Sequence, residues 1–597
     1  MTNQTQSDSI FLATTALEDF WDTSKPITFL GEWCLLYERR EYWRIFGGNQ
    51  IKNQYEHVDA GENAYKFVNN LYEKLLPLLG EKLNDIHAKS HSDRYWRILL
   101  GPWLHLYLSA VYDRFLHLTK AIEEIPNFTT IGLSTASFVV PTDTLGFACL
   151  LSEDSYNLQL YTKLLHALGK EFPCKEATVQ RSSSYGKLLK NTWQRKLISY
   201  AIKLFANVST KLFKTILLRN PYFSKSIETQ LIIHNFGRIL PCWNQINSCH
   251  EFDLDSKKRN KLKKIEVGHD EFEQCLVSIL FSDVPQCFIE GYSAVENEKS
   301  KNYPEYTSAI LSANGWYYDE IFKQWSAAAA EDGVILLGTQ HGGNYGCLKN
   351  MASEDHEMAI VDNYYSWGWG QPDSDPKVIP MPATKLMGRT EIGADNSKHG
   401  ILWAATSSQR YVVQFPFLPS DFQQYLDWQL QFGALLSEEM VKITRFRPHY
   451  ENYGWGTVER IRKSIPDIQI ESWDKPFQQS LENCRLYVCD HLSTTFAEAL
   501  ALNKPTLLFW NPLTTKLRPE AQPIFDSLRE CEILFDTPQT AALAVNNIYQ
   551  DVAAWWNLSK RQEAVRKFCT KFARTSPNAI ALWGDELTRV AELKSSL

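Results

Sequence analysis

Between residues 486 and 510 the chain runs through an apolar tetrapeptide, a polar turn, a helical stretch and a second apolar run. Few folds accept that succession. Leu486-Tyr487-Val488-Cys489 is short and apolar throughout, as in a strand covered on both faces. Asp490 to Thr495 offers capping side chains and free backbone N–H groups where a helix begins, and Thr506 to Trp510 reads as the next buried strand. A strand–turn–helix–strand unit builds parallel α/β sheets, and its turn is where such sheets bind anions. Ser493, Thr494 and Thr495 are therefore candidate phosphate ligands. Glu498 lies one helical turn past Thr494 and can face the same ligand, holding ribose or sugar hydroxyls. A nucleotide-sugar donor carries that combination of groups. The plain alternative is a well-capped helix with Glu498 in solvent.

Further strand-then-helix units appear at Val334–Leu337, Ile401–Ala405 and Val441–Arg445, so the C-terminal half reads as one parallel sheet wrapped by helices. The chain has 597 residues, too many for one core, and two large domains are expected: 1–300 and 301–597, with the crossing near Tyr303-Pro304. In the first domain, candidate strands Ile10–Ala13 and Ile27–Leu30 each lead into acids, among them Asp19 and Glu32. Helical patterns run over 64–86 and 101–122, with Gly101-Pro102 at a helix start.

A net charge of −7 argues against a general nucleic-acid binder. The twelve cysteines form no CxxC pair or zinc-spaced cluster, which suits a reducing compartment. No secretory signal and no run of ~18 apolar residues is found, so a cytoplasmic location is expected. The stretch 177–227 nonetheless lacks Asp and Glu and carries ten Lys and Arg residues, with apolar residues mostly three or four apart. A basic amphipathic helix over 181–225 lying on an anionic membrane surface fits this pattern, and so does a basic helix packed on its own domain.

Thr339-Gln340-His341-Gly342-Gly343-Asn344-Tyr345-Gly346 comes directly after a strand. Its glycines let backbone N–H groups approach an anion, and His341 can donate to an oxygen or act as acid or base. It is neither a Walker loop nor a GxGxxG fingerprint. Trp367 and Trp369, in Tyr-Tyr-Ser-Trp-Gly-Trp-Gly, suit a stacking wall or a core. Arg445 and Arg447 share one face at a strand end, placed for a phosphate or carboxylate. Asp-Leu-Asp at 253–255 and Asp-Ser-Asp at 373–375 read as loop acids, so no metal is expected.

FLATTALEDFWD at 11–22, FLGEWCLLYERR at 29–40, YWRILLGPWL at 95–104 and FIEGY at 288–292 resemble a transferase family encoded in bacterial O-antigen and surface-polysaccharide gene clusters. So do TQHGGNYG at 339–346, YYSWGWG at 364–370, RFRPHYENYGW at 445–455 and DHLSTTFAEALALNKPTLLFWNP at 490–512. The chain is also distantly similar to capsule-synthesis glycosyltransferases that use a CMP-activated ulosonic acid. The resemblance implies a GT-B-like α/β fold, two Rossmann-like domains facing across a cleft, here with the basic helical insertion. It also implies the donor on the C-terminal half, no obligatory metal and no cofactor beyond the nucleotide-sugar co-substrate. Carried onto this chain, Ser493, Thr494, Thr495 and Glu498 hold the donor, met across the cleft by His341, Gly342, Gly343 and Asn344. Arg445 and Arg447 become anion partners, and the acceptor base is Glu32 or Asp19. Glu32 is favoured because Gly31 leaves the backbone before it unhindered.

The resulting expectation is a glycosyltransferase at the inner face of the bacterial inner membrane, acting on a lipid-linked saccharide. Two rivals stay open. One is a polyol-phosphate transferase of the teichoic-acid-polymerase kind with a CDP-linked donor; the other is a non-catalytic saccharide-binding protein.

Overall fold

The computed structural model describes residues 9–55, 57, 59–179, 209, 213–242, 249–370 and 375–593. Two small parallel pairs come first, β1 (Phe11–Ala13) with β2 (Ile27–Phe29) and β3 (Gly132–Leu133) with β4 (Cys174–Lys175). Six parallel strands then form one sheet: β5 (Ile216–Arg219), β6 (Ile239–Cys242), β7 (Ala309–Ser312), β8 (Ile335–Thr339), β9 (Asn363–Ser366) and β10 (Val378–Pro380), in the order β10-β9-β8-β7-β5-β6. Six more form the second: β11 (Ile401–Ala404), β12 (Thr444–Arg447), β13 (Gln469–Ile470), β14 (Leu486–Cys489), β15 (Thr506–Phe509) and β16 (Leu534–Phe535), in the order β13-β12-β11-β14-β15-β16. Helices cover both sheets, giving the expected GT-B-like α/β architecture of two Rossmann-like units.

The units are cut differently from the sequence expectation. The first sheet draws strands from both sides of residue 300, so that position is no boundary between sheets, and the chain passes from one to the other between β10 and β11. The strand at 335–339 belongs to the first sheet, whereas those from 401 onward form the second. The strand placed at 441–445 falls at Thr444–Arg447, because Glu438–Ile443 is a helix capped by Ser437.

Up to residue 179 the chain is mainly helical, built around the long helices Ala60–His87 and Asp93–Glu124. Ser92 caps the second by accepting the Tyr95 N–H, so Gly101-Pro102 lies inside a helix and not at its start. Gly101 is required there: a Cβ would come within 2.7 Å of the His356 ring. This helix is buried on nearly every side, which explains its weak sequence periodicity.

Residues 180–208 and 210–212 of the basic stretch lie outside the described residues. From residue 216 the chain is not a membrane-facing helix: 216–219 is strand β5, and Arg219 is buried against Asp319 at 2.5 Å. Asp255 is a helix cap, accepting from Lys257 and Lys258 N–H; residues 373 and 374 are outside the described set, and Asp375 accepts the Lys377 N–H in a turn.

Strand order fixes where a ligand fits. In each sheet the chain builds outward in one direction, then returns to build in the other. The reversal lies between β5 and β7 in the first sheet and between β11 and β14 in the second. Open parallel sheets bind ligands at such switch points, beyond the carboxyl ends of the strands.

Candidate functional site

The turn after β14 lies at the second sheet's switch point. Ser493 is the N-cap residue of helix Thr494–Ala501 by position, yet its side chain makes no capping bond. Its hydroxyl pairs with Thr495 Oγ1 at 2.8 Å, and Thr495 in turn accepts from the Tyr487 hydroxyl at 2.9 Å. The N–H groups of Thr494, Thr495 and Phe496 take no acceptor among the described residues. An uncapped helix start with free N–H groups attracts anions through both hydrogen bonding and the helix dipole.

The glycine turn after β8 meets this turn from the other sheet. Gly343 N–H donates to Thr494 Oγ1 at 3.0 Å, and a Cβ on Gly343 would stand 2.3 Å from the Ser493 carbonyl oxygen. Gly342 lies alongside, its Cβ position 3.6 Å from Thr494 Oγ1. Asn344 closes the turn with its carbonyl, accepting from Cys347 and Leu348, while its Oδ1 is buried and without a partner among the described residues.

His341 projects from this turn. Its Nε2 faces Glu357 Oε1 at 3.0 Å and the Tyr345 hydroxyl at 2.7 Å, and its ring stacks on Tyr222 at 5.7 Å between centroids. Glu357, fully buried, also accepts from Tyr345 at 2.9 Å and Tyr364 at 3.3 Å; burial raises its carboxyl, with His341 and the tyrosines opposing the shift. With Nε2–H directed at Glu357, Nδ1 is left without a protein partner among the described residues. Gln340 locks the loop: Nε2 donates to Gly342 O at 2.8 Å, and Oε1 accepts from Trp367 N–H at 2.8 Å and Trp369 Nε1 at 2.7 Å. Trp367 and Trp369 are thus core residues that hold the histidine turn, not a stacking wall.

Glu32 comes from the N-terminal layer. It opens the one-turn helix Glu32–Cys34 between buried Gly31 and Trp33. A Cβ on Gly31 would strike the Trp33 ring at 2.4 Å, and Trp33 is pinned by Nε1 donating to Thr14 O at 2.9 Å. Burial raises the Glu32 carboxyl. Its one-turn helix packs on helix Pro419–Leu435, whose Tyr425 reaches Asp490 just past β14, so Glu32 is on the second sheet's switch-point side. Asp19 is exposed on the N-terminal layer, and among the described residues no hydrogen bond or ion pair ties its side chain to either sheet.

Three expected ligands are occupied otherwise. Glu498 is buried and paired with Lys385 Nζ at 2.6 Å and Arg389 at 3.0 Å, so its carboxylate fastens the β10–β11 link to the helix. Arg445 and Arg447 do share a face, but they turn toward Glu471, beyond edge strand β13, at 3.7 and 2.6 Å. Arg447 also lies under the Trp473 ring at 4.5 Å. Strand alternation predicts their common face correctly; the acid that claims them is 24 residues past Arg447.

Sequence reasoning assigns no role to Glu357, whose helix, Ala352–Ile360, buries several polar residues with no pattern to single one out. Asp490 and His491 also go unassigned, although they stand in the same turn as Ser493. Asp490 is buried and accepts from Trp403 Nε1, Tyr425 Oη and Gln429 Nε2, each at 2.8 Å, and from His491 Nδ1 at 2.9 Å.

The fold and site define a two-sheet α/β protein with a carboxylate-oriented histidine on one sheet, set against an open helix start on the other. The LIC12162 family transferase description matches residues 10–587, and the chain belongs to that family. Among curated proteins, none matches. Of solved structures, S. aureus MnaA with UDP is similar over 64% of this chain and 97% of its own, at 11% identity and a TM-score of 0.37. Acinetobacter baumannii MurG is similar over 63% and 99%, at 10% identity and 0.32. The wall teichoic acid polymerase TagF is similar over 68% and 98%, at 12% identity and 0.30. Likenesses this low say nothing about the chemistry of this chain.

Proposed function

We propose that the protein is a metal-independent glycosyltransferase that moves a sugar from a nucleotide-activated donor to a lipid-linked saccharide in bacterial surface-polysaccharide or O-antigen assembly. A CMP-ulosonic acid is the donor the sequence resemblance favours. The observation that carries the reading is the junction of the Gly342-Gly343 turn with the Ser493-Thr494 turn, which sets a Glu357-oriented imidazole beside an uncapped helix start. Membership of a transferase family supports it.

In this scheme the donor phosphate sits on the Thr494–Phe496 N–H groups, where the helix dipole favours the negative charge that grows as the sugar–phosphate bond breaks. Glu32 takes the proton of the acceptor hydroxyl; its raised pKa makes it a better base than an ordinary carboxylate. His341 meets the transferring group with Nδ1, and Glu357 holds the ring. The part-exposed His341 held by the buried Glu357 favours catalysis over passive saccharide binding, because a binding surface has no need of an oriented imidazole. Docking at the inner face of the membrane would fall to the basic stretch ahead of β5. No helix among the described residues is long and apolar enough to cross a membrane.

Thermal-shift measurements with CMP, CDP, UDP, GDP and dTDP test the donor site. A nucleotide at ~100 times its dissociation constant adds roughly 2.7 kcal/mol to the folded state. Stabilisation by one nucleotide, lost in Ser493→Tyr, which would fill the turn, supports the reading and identifies the base. Silence from all five would defeat it.

A further inference from the structure

Arg445 and Arg447 are claimed by Glu471, but two rings at the same strand ends stay open. Tyr450 is 65% exposed and Trp473 50%, and they meet edge to face, 5.5 Å between centroids and 77° between planes. Exposed apolar residues scattered singly need no explanation; this pair is held in place. Trp473 donates through Nε1 to Pro448 O at 2.9 Å and rests on the Arg447 guanidinium at 4.5 Å. Arg447 is buried and donates to Glu471 at 2.6 Å and to Lys475 O at 3.1 Å, so both flanks of Trp473 are tied down. Tyr450 is backed by the His449 ring at 4.4 Å, and His449 Nδ1 accepts the Glu451 N–H at 3.2 Å.

Strand register places these rings relative to the Ser493 turn. Arg447 on β12 and Cys489 on β14 both stand opposite Ala404 on the central strand β11. The loops that follow them leave the same end of the sheet two strand spacings apart, about 10 Å. The loop carrying Trp473 leaves that end too, because β13 runs parallel to β12. A nucleotide spans such a gap, with its phosphate at one end and its base at the other, joined through a ribose. With the transferred sugar at His341, the far end of the donor has to be held elsewhere on the second sheet.

We propose that Tyr450 and Trp473 form the seat of the donor's nucleobase, which stacks against their exposed surface while its phosphate occupies the Ser493 turn. This rests on the nucleotide-donor reading above and adds the base-binding half of that site. Every base has a π face to offer such a platform, and rings fixed in advance lose little freedom when a ligand arrives. A pyranose stacks on aromatic rings as well, but an acceptor saccharide has no tether to the phosphate at this distance, whereas the base has one.

Calorimetric titration of the full chain with CMP, CDP, UDP, GDP and dTDP, and with inorganic pyrophosphate and ribose 5-phosphate as base-free ligands, tests this. Tyr450→Ala and Trp473→Ala should each weaken the nucleotide that binds the wild type by about five- to hundredfold, the cost of losing one stacked ring. The base-free ligands should bind as before. Tyr450→Phe and Trp473→Phe keep a π face and should recover most of the loss. Melting curves equal to wild type, read by circular dichroism, exclude a folding defect; Tyr450, the more exposed ring, carries the comparison if Trp473→Ala is unstable. Nucleotide binding within twofold of wild type in the folded alanine variants would overturn the proposal and leave the donor site standing. An equal loss for pyrophosphate would overturn it too, since the substitutions would then be acting on the phosphate turn. Wild-type protein that binds no nucleotide would sink the donor reading and this proposal with it.

Discussion

Glu32 and Asp421 are acids whose surroundings disfavour their charged forms. Burial lifts Glu32 above the ordinary glutamate value, with Asp113 adding to the shift and His117 opposing it. Burial, then the charge of Glu32, pushes Asp421 up to about 6 even though Lys516 opposes. A base must be unprotonated to act, so the acid limb of kcat/KM should lie above the ~4.3 of a free glutamate. Glu32→Gln should cost ~10²–10⁴-fold in kcat and remove that limb. A variant that keeps wild-type activity and its limb excludes Glu32 as the base. Linkage gives a second readout. Asp421 binds its proton more tightly folded than unfolded, so its contribution to stability is present below pH 3.8 and is lost as pH rises through about 6. Asp421→Asn should therefore raise the melting temperature at pH 7.5 and leave it unchanged at pH 3.5; a rise at both would place the effect in packing and not in charge.

The meeting of two turns from two sheets is the unit on which the site depends. Gly343 has no room for a methyl group, since its Cβ would lie 2.3 Å from Ser493 O and 3.0 Å from Thr494 Cα, both backbone atoms. Gly343→Ala must push the turns apart. Displacements near 1 Å at a reacting centre can cost ~10²-fold in rate. The expected outcome is a loss of that order in kcat/KM with a modest fall in melting temperature, whereas Gly342→Ala, whose nearest neighbours stand at 3.6 Å, should be far milder. Equal activity of the two variants would show that the junction does not set the geometry. At this scale the sequence is informative. The post-strand turns at 338–346 and 490–495 are legible because strand ends, glycines and hydroxyls carry local signals. Their mutual contact is not, since about 150 residues separate Gly343 from Ser493 and no periodicity spans that gap. Glu498 misleads for a related reason: helical spacing places it near Thr494, but its partners Lys385 and Arg389 arrive from another part of the chain.

The N-terminal helical layer holds both sheets. On the first, Arg94 donates to Ile360 O at 2.7 and 3.0 Å, and Lys323 donates to Leu99 O at 3.0 Å. On the second, it grips the segment after β11. Arg114, fully buried, donates to Val412 O and to Asn157 Oδ1 at 2.7 Å; Arg410 pairs with Asp154 at 2.6 Å and donates to Trp33 O. The last bond sits beside Glu32, so the brace that joins layer to sheet also sets the proposed base. Little of this is visible in the sequence, where the layer reads as ordinary helix and Arg410 as one basic residue among many; the domain division at 300 goes astray because the layer's helices and the first sheet are interleaved along the chain. Chains of this length usually unfold in several steps. The shared bracing predicts otherwise: layer and second sheet should melt in one calorimetric transition. Arg410→Leu leaves the half-buried Asp154 with only the Ala16 N–H and the Tyr411 hydroxyl among the described residues, a loss of ~1.5–3 kcal/mol for a hydrogen bond between charged groups, and frees the 405–418 segment. It should split the transition in two and lower kcat through misplacement of Glu32, while nucleotide binding at the Ser493 turn, which Arg410 does not touch, persists. Two transitions in the wild type, or a single unshifted one in Arg410→Leu, would mean that the sheets fold independently of the layer and that Glu32 owes its place to local packing alone.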